Sequence, residues 1–136
     1  MTRITTITAA ETWPIRHQVM WPNESIAFVQ IPNDEDGLHY GFWLDQRLIS
    51  VISLFVEGNQ AQFRKFATLP TYQGRGFGSQ LVHHIIGIAK SKGLTKLWCN
   101  ARVEKMDYYK KFGMMTTDRF FQKKSIHYVV MERMLT

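Results

Sequence analysis

The segment formed by residues 69–79 constrains the fold more than any other part of the sequence, because it joins a strand to a helix through a glycine-rich turn. Pro70 ends the strand, since proline has no backbone N–H to donate to a sheet. Gly74, Gly76 and Gly78 then alternate with larger residues. Apolar residues follow at the spacing of one helix face, namely Leu81, Ile85, Ile88 and Ala89. The sequence therefore predicts a strand–turn–helix unit here.

This glycine-rich turn predicts a binding site for an anionic group. Glycine has no Cβ, so the backbone N–H groups of the turn can approach a ligand closely. The first N–H groups of a helix have no partner within the helix and lie at the positive end of its dipole, which favours a pyrophosphate. Arg75 adds a full positive charge beside them. A helix entry with flexible glycines and no ligand is the structural alternative.

Two better known glycine-rich turns are excluded by their own requirements. A P-loop ends in Gly-Lys followed by Ser or Thr, whereas this turn ends in Gly78-Ser79-Gln80. The dinucleotide-binding turn has the spacing Gly-x-Gly-x-x-Gly and an acidic residue about 20 positions later. Here the glycines alternate, and no Asp or Glu lies between Gly78 and Glu104. Neither of these nucleotide-binding turns is therefore expected.

The charge is distributed unevenly along the chain, whose formal net charge is +6. Residues 1–63 carry three Lys or Arg against seven Asp or Glu, and residues 64–136 carry fourteen against four. A strongly basic half favours a phosphate-bearing partner, either a nucleotide cofactor or a nucleic acid. A solvated surface rich in lysine explains the same charges without any partner.

Hydrophobic periodicity and turn residues predict the other elements. Strands are expected at residues 4–7, 39–44, 48–56, 62–69, 94–101, 115–122 and 126–134, and helices at 9–20, from Gly78 to Lys92, and at 104–112. Pro14 lies inside the first helix and could reset where it begins. Helices that alternate with mostly antiparallel strands are typical of a mixed α/β fold. With 136 residues and no linker, the chain is expected to form one domain, residues 1–136.

Composition excludes several classes of protein. The longest apolar stretch, Leu48–Val56, is far shorter than the roughly 20 residues of a membrane-spanning helix. The N-terminus has no basic region followed by an apolar one, so no secretory signal is visible. Cys99 is the one cysteine, which excludes an intramolecular disulfide and a zinc site built from several cysteines. We therefore expect a soluble, cytoplasmic protein with no membrane partner.

The segment Gln73–Gly78 resembles the Gln/Arg-x-x-Gly-x-Gly/Ala signature of the GNAT acyl-CoA-dependent N-acetyltransferases. Its surroundings are similar too, because a strand precedes the signature and a helix and the strand Leu97–Ala101 follow it. The stretch Tyr108–Met114 resembles the Phe-Tyr-x-Lys-x-Gly-Phe element of the family, and His127 with Met131 resembles the His-x-x-x-Met of a subgroup. The resemblance is strongest over residues 62–134.

The resemblance implies the GNAT fold, in which a mostly antiparallel central sheet has splayed middle strands and is flanked by helices. It also implies acetyl-CoA as the co-substrate, without a metal. The pantetheine arm would pair with the backbone of a bulged fourth strand, here at Phe66, Ala67 and Thr68. The pyrophosphate would be bound by Gln73, Gly74, Arg75, Gly76, Phe77, Gly78 and Ser79. Candidates for the 3′-phosphate are Arg102, Lys105 and Lys110.

Catalytic roles follow from the same resemblance. Tyr109 lies four residues before Gly113, where the family has the general acid that protonates the departing thiolate. His127 is the candidate for the general base, since imidazole titrates in the required range and the residue lies in the last strands. The alternatives are a core tyrosine, a structural histidine, and a base supplied by His39, His17 or a chain of water molecules.

These features together predict an N-acetyltransferase that moves an acetyl group from acetyl-CoA to a primary amine of a small molecule or peptide by direct attack in a ternary complex. No nucleic acid is expected as a partner, because no helix-turn-helix or RNA-binding signature is present. Dimerisation is common in the family, and a homodimer is compatible with the sequence. Two alternatives stay open, a catalytically silent acyl-CoA-binding module and a nucleic-acid-binding domain. Cys99 is interpreted as a core residue rather than a nucleophile, and Asp34–Asp36 as a solvated loop rather than an acidic segment that attracts a cationic substrate.

Overall fold

The computed structural model describes residues 1–135 of the chain. The strands are β1 (Thr2–Ile7), β2 (Leu38–Leu44), β3 (Arg47–Glu57), β4 (Gln60–Thr68), β5 (Lys96–Arg102), β6 (Met115–Lys123) and β7 (Ile126–Met134). The α-helices are α1 (Ala9–Met20), α2 (Phe77–Ser91) and α3 (Met106–Lys110). Short 3-10 helices lie at Ile26–Val29, Asp34–Asp36, Pro70–Tyr72 and Val103–Lys105. No helix in this part of the chain is long and apolar enough to cross a membrane.

The strands form a sheet in the order β1-β2-β3-β4-β5-β7-β6. The antiparallel pairs include β1 with β2, β2 with β3, β5 with β7 and β7 with β6. Strands β4 and β5 are parallel, and their residue pairs run from Gln60–Lys96 to Gln62–Trp98. The predicted order of elements and the mixed α/β fold with a mostly antiparallel sheet are therefore confirmed.

Helix α1 begins at Ala9 because Thr8 forms a capping box. The Thr8 hydroxyl accepts a hydrogen bond from the backbone N–H of Glu11 at 3.2 Å, and the Glu11 carboxylate accepts one from the backbone N–H of Thr8 at 2.8 Å. These two bonds satisfy N–H groups that the helix itself leaves without a partner. The helix then continues through Pro14 to Met20, so the proline does not reset its start.

The third predicted helix is shorter than its sequence pattern suggests. Residues Val103–Lys105 form a 3-10 turn, and α3 itself covers only Met106–Lys110. Gly113 follows in the left-handed conformation with φ of +80°, and its backbone N–H donates to the Lys110 carbonyl at 3.0 Å. A left-handed glycine of this kind is a common way for a helix to end.

Two compact units divide the chain, one formed by residues 1–55 and 64–85, the other by residues 56–63 together with those from 86 onward. The core of the first unit includes Ile15, Phe42, Val51, Ile52, Leu54, Leu81 and Ile85. The core of the second unit includes Phe63, Leu97, Cys99, Phe112, Met114, Val129 and Met131. Each unit thus buries its own set of aliphatic and aromatic side chains, which is the main source of its stability.

One residue inside β4 departs from the ordinary strand conformation. Lys65 has a φ of +55°, in the left-handed region that residues other than glycine rarely adopt. A local distortion of this kind is typical of a β-bulge, which changes the face to which neighbouring side chains point. The distortion lies in the strand for which the family resemblance implies a bulge.

Candidate functional site

The glycine-rich turn between β4 and α2 adopts backbone conformations that favour glycine. Gly74 has a φ of +75° and Gly76 a φ of +83°, both in the left-handed region. A Cβ added at either position would meet no atom within 4 Å, so the constraint is conformational rather than steric. Residues 73–76 are exposed. The turn therefore presents its backbone to solvent at the point where α2 begins.

Gly78 is needed for a different reason, which is close packing between the start of α2 and the end of β4. A Cβ at this position would lie 2.7 Å from a ring carbon of Phe66 and 2.9 Å from the hydroxyl oxygen of Thr68, nearer than real Cβ atoms come. Only glycine therefore lets the first turn of the helix rest on these two side chains. Ser79 follows as a half-buried residue of the same turn.

Side-chain contacts fix the turn against the strand. The Gln73 amide donates a hydrogen bond to the Thr68 carbonyl at 2.8 Å. The Arg75 guanidinium lies over the ring of Phe77, 5.0 Å from the ring centroid. Phe77 in turn packs against Phe42 of β2, with the two centroids 5.0 Å apart. A positive charge is thus held beside the exposed backbone of the turn, which favours the binding of an anion.

The strand residues expected to contact pantetheine are held to β3. The Ser50 hydroxyl donates to the Ala67 carbonyl at 3.1 Å and lies 2.8 Å from the Thr68 hydroxyl. Ala67 is buried, and Phe66 and Thr68 are half-buried. These contacts give the end of β4 a fixed position next to the glycine-rich turn.

Tyr109 lies in α3 among aromatic side chains of the second unit. Its ring centroid is 5.7 Å from that of Phe63 and 5.4 Å from that of Tyr108. Burial raises the pKa of the Tyr109 phenol well above its ordinary value, the neighbouring Cys99 and Tyr108 raise it further, and Arg102 opposes them. The phenol therefore keeps its proton at neutral pH, as a general acid must.

Cys99 is a core residue, as predicted. It is 2% exposed, and burial raises the pKa of its thiol from 9.0 to about 12. The thiolate is the nucleophilic form of cysteine, and a thiol with so high a pKa does not provide it at neutral pH. A covalent acyl-cysteine route is therefore disfavoured.

The histidines considered as a base occupy three different environments. His127 is exposed in β7, opposite Gln122 of β6. His17 is half-buried, and its Nε2 lies 2.7 Å from the carbonyl oxygen of Glu24, which makes it a link between α1 and the following loop. His39 is buried and belongs to the polar network described next. Of the three, His127 has the solvent access that a proton carrier needs.

The first unit contains a buried ion pair that the sequence pattern does not reveal. The guanidinium of Arg16, fully buried in α1, donates to both carboxylate oxygens of Asp34 at 2.8 and 3.0 Å. Asp34 also accepts hydrogen bonds from the indole of Trp13 and the backbone N–H of Ile31, each at 3.0 Å. Burial by itself would raise the pKa of Asp34, but these bonds outweigh it and the pKa is lowered. The interpretation of Asp34 as part of a solvated loop is wrong, because its carboxylate neutralises Arg16 in the core.

The ion pair continues into a row of hydrogen bonds across the sheet. The Arg16 guanidinium donates to the Ser53 hydroxyl at 2.9 Å, and that hydroxyl lies 2.7 Å from Nδ1 of His39. Nε2 of His39 lies 2.8 Å from the Asp34 carbonyl oxygen, so this nitrogen carries a proton. Ser53 and His39 are directly opposite each other in β3 and β2. His39 is therefore engaged at both ring nitrogens, which disfavours it as the catalytic base.

Arg64 of β4 is next to this network, because the two-residue turn at Gly58 and Asn59 pairs β3 with β4 in a register that puts Arg64 opposite Ser53. Burial lowers the pKa of its guanidinium, the charge of Arg16 lowers it further, and the charge of Asp34 opposes both effects. The sequence analysis did not predict that Arg16, Asp34 and Arg64 lie close together, because they are far apart along the chain. The one available signal is that Arg16 shares its helix face with two other buried residues of α1, Thr12 and Ile15.

The side chains of β4 change face within a few residues. Arg64 lies beside Ser53, whose hydroxyl binds Arg16 of α1, whereas Phe66 and Thr68 contact α2 through Gly78. Regular strand alternation would put positions 64, 66 and 68 on one face. The left-handed Lys65 between them accounts for the change.

Comparisons with known proteins agree with these observations. Residues 5–114 match the family model described as the acetyltransferase (GNAT) family. The chain is 33% identical over 122 residues to the uncharacterized N-acetyltransferase YitI of Bacillus subtilis (strain 168), which covers 83% of this chain and 82% of that protein. It is 29% identical over 110 residues to the ribosomal protein bS18-alanine N-acetyltransferase of Haemophilus influenzae, covering 75% of this chain and 69% of that protein.

A solved structure with similar architecture is a GNAT family acetyltransferase from Elizabethkingia anophelis with acetyl-CoA bound, at a TM-score of 0.79 and 17% identity over 98% of both chains. This likeness supports the fold, and the family model covers most of the chain. The chain therefore belongs to the acetyltransferase (GNAT) family and is an acyltransferase enzyme.

Proposed function

We propose that this enzyme transfers an acetyl group from acetyl-CoA to a primary amine of a small molecule or peptide, by direct attack of the amine in a ternary complex. The observation that carries the proposal is the glycine-rich turn, where exposed backbone and the Arg75 charge meet the start of α2. Acetyl-CoA joins a pyrophosphate to a thioester, and a turn of this kind suits the pyrophosphate.

Each part of acetyl-CoA has candidate residues in the chain. The segment Gln73–Ser79 would bind the pyrophosphate through backbone N–H groups and Arg75. The backbone of Phe66–Thr68, held to β3 by Ser50, would pair with the pantetheine arm. For the 3′-phosphate the candidates are Arg102, Lys105 and Lys110. The basic character of residues 64–136 supports an anionic substrate in this half of the chain.

The reaction needs one proton to leave the amine and one to reach the sulfur. The neutral amine attacks the thioester carbonyl carbon, and a C–N bond forms. When the C–S bond breaks, Tyr109 donates its phenolic proton to the departing sulfur, so that CoA leaves as a thiol. The nitrogen gives its proton to a base, and the phenol is reprotonated from solvent. The raised pKa of Tyr109, which keeps the phenol protonated, supports this role.

His127 is our proposal for the base that removes a proton from the substrate ammonium. Its exposure to solvent and its imidazole ring, which can accept a proton on nitrogen, support the assignment. His17 and His39 are weaker candidates, because a protein oxygen lies within hydrogen-bond distance of Nε2 of His17 and of both ring nitrogens of His39. A chain of water molecules is the alternative, and it predicts that His127→Gln leaves kcat unchanged at every pH.

Titration calorimetry with acetyl-CoA and a thiol-release assay with a panel of amines test the proposal together. We expect saturable binding of acetyl-CoA and thiol release that depends on the amine. The panel includes a peptide that begins with alanine, because one relative is named for acting on an alanine of a ribosomal protein. Binding without amine-dependent release would favour a silent acyl-CoA-binding module. No binding at millimolar acetyl-CoA, with steeply salt-dependent binding to random DNA, would favour a nucleic-acid-binding domain.

A further inference from the structure

Two guanidinium groups, those of Arg16 and Arg64, lie near a single carboxylate, that of Asp34, which forms an ion pair with Arg16 alone. Asp34 is bound through both oxygens by Arg16. Nε of Arg16 is buried and has no hydrogen-bond partner within residues 1–135. None of the ion pairs in the described chain involves Arg64, although this side chain is partly buried. The three residues Arg16, Arg64 and Asp34 together therefore carry one positive charge in excess.

An excess of positive charge away from bulk water is unfavourable unless an anion joins it. The lowered pKa of Arg64, caused by burial and by the charge of Arg16, agrees with this. Guanidinium groups bind carboxylates through paired N–H donors, with good geometric fit. The surroundings of Arg64 therefore have the chemistry of a site for an anionic group.

The position of Arg64 along β4 indicates which of the two substrates carries the anionic group that Arg64 would bind. Arg64 precedes Thr68 by four residues, a distance of roughly 13 Å along a strand. In the proposed function the pyrophosphate lies at the turn after Thr68, and the pantetheine arm follows Phe66–Thr68, so the thioester points back toward Arg64. Because Lys65 changes the face of the strand, Arg64 is on the opposite side from the contacts with α2. A second substrate on that side would meet Arg64.

We propose that Arg64, supported by Arg16, binds a carboxylate of the amine acceptor, so that the acceptor is a small amine that also carries a carboxylate, such as a free amino acid. This inference rests on the proposed transfer of an acetyl group and adds the class of acceptor to it. Asp34 and Ser53 have a positioning role, because they hold the Arg16 guanidinium in place. The Arg64 guanidinium supplies the donors that contact the carboxylate.

Steady-state kinetics with matched acceptors test this inference. The acceptors are α-, β- and γ-amino acids, the amide of each, the corresponding amines without a carboxylate, and an alanyl peptide amide. For the wild type we expect kcat/KM at least about tenfold higher for amino acids than for their amides. Arg64→Gln is expected to raise KM for amino acids about tenfold or more, while kcat and the KM for acetyl-CoA change by less than about twofold. Arg64→Lys keeps the charge without the paired donors and should lie between.

Arg119→Gln is the matched control, since it removes the same charge from an exposed position of β6. It should leave every acceptor unchanged. If kcat/KM for the amino acid amides, or for the alanyl peptide amide, equals that for the amino acids, the inference is overturned and the proposed function stays intact. Acetyl-CoA binding with no use of any amino acid, or an Arg64→Gln variant that loses amides and amino acids equally, would have the same consequence. Absence of acetyl-CoA binding by the wild type would overturn both.

Discussion

The phenol of Tyr109 has an environment that decides its chemistry. Phe63 and Tyr108 surround its ring, and burial raises its pKa. We expect Tyr109→Phe to lower kcat about tenfold or more, because the departing sulfur loses its proton donor, while the Kd for acetyl-CoA measured by calorimetry stays the same. Tyr108→Phe is the control in the same helix and should retain activity. Turnover near the wild-type rate in Tyr109→Phe would rule out the role.

Asp34 is the residue whose loss should damage the fold most. Asp34→Asn keeps the shape of the side chain but leaves the charge of Arg16 buried and uncompensated, so the free energy of unfolding in urea should fall by about 3–5 kcal/mol. The pKa of Asp34 is lowered from 3.8, so its charge stabilises the folded state above that pH, and this stabilisation is lost as pH falls further. The difference between the variant and the wild type should therefore shrink below about pH 4. A constant difference down to pH 2 would contradict this account.

At the scale of one element, helix α2 contains two glycines with opposite roles. Gly78→Ala would put a Cβ 2.7 Å from the Phe66 ring and so displace the helix start from β4, whereas Gly87 has open space around it. We expect Gly78→Ala to weaken acetyl-CoA binding about tenfold or more, which corresponds to about 1.4 kcal/mol, as measured by calorimetry.

Gly87→Ala is the control for the same substitution in the same helix. It should bind acetyl-CoA like the wild type and stabilise the fold by about 0.5–1 kcal/mol, because alanine loses less backbone entropy. Equal affinities in the two variants would show that the position of the helix start does not determine binding.

At the scale of the whole molecule, stability should decline at alkaline pH. The acids Cys99 and Tyr40, which are buried, and Tyr109, which is half-buried, have raised pKa values in the folded chain, so they keep protons that the unfolded chain releases. For Cys99 the loss begins near its ordinary pKa of 9.0 and ends near the folded value of about 12. Cys99→Ala should remove up to about 1.4 kcal/mol per pH unit from this decline, measured by urea unfolding between about pH 9 and 11. Parallel profiles for the two proteins would contradict the prediction.

Local patterns in the sequence predicted most of the fold, and long-range contacts limited the rest. Strand β7 and helix α1 have the predicted bounds, because the residues that specify each element are close together in the sequence. The glycine-rich turn was also predictable, since left-handed and close-packed positions demand glycine. The ion pair between Arg16 and Asp34 was not predictable. Each residue is buried only because the other is its partner, and no pattern of neighbouring residues in the sequence indicates such a partner.

The left-handed residue in the middle of β4 also has a kinetic consequence for the proposed reaction. If the acyl donor lies on the side of Phe66 and the acceptor on the side of Arg64, each molecule has its own entrance and neither blocks the other. Initial rates would then fit random addition of the two substrates, and each product could depart without waiting for the other.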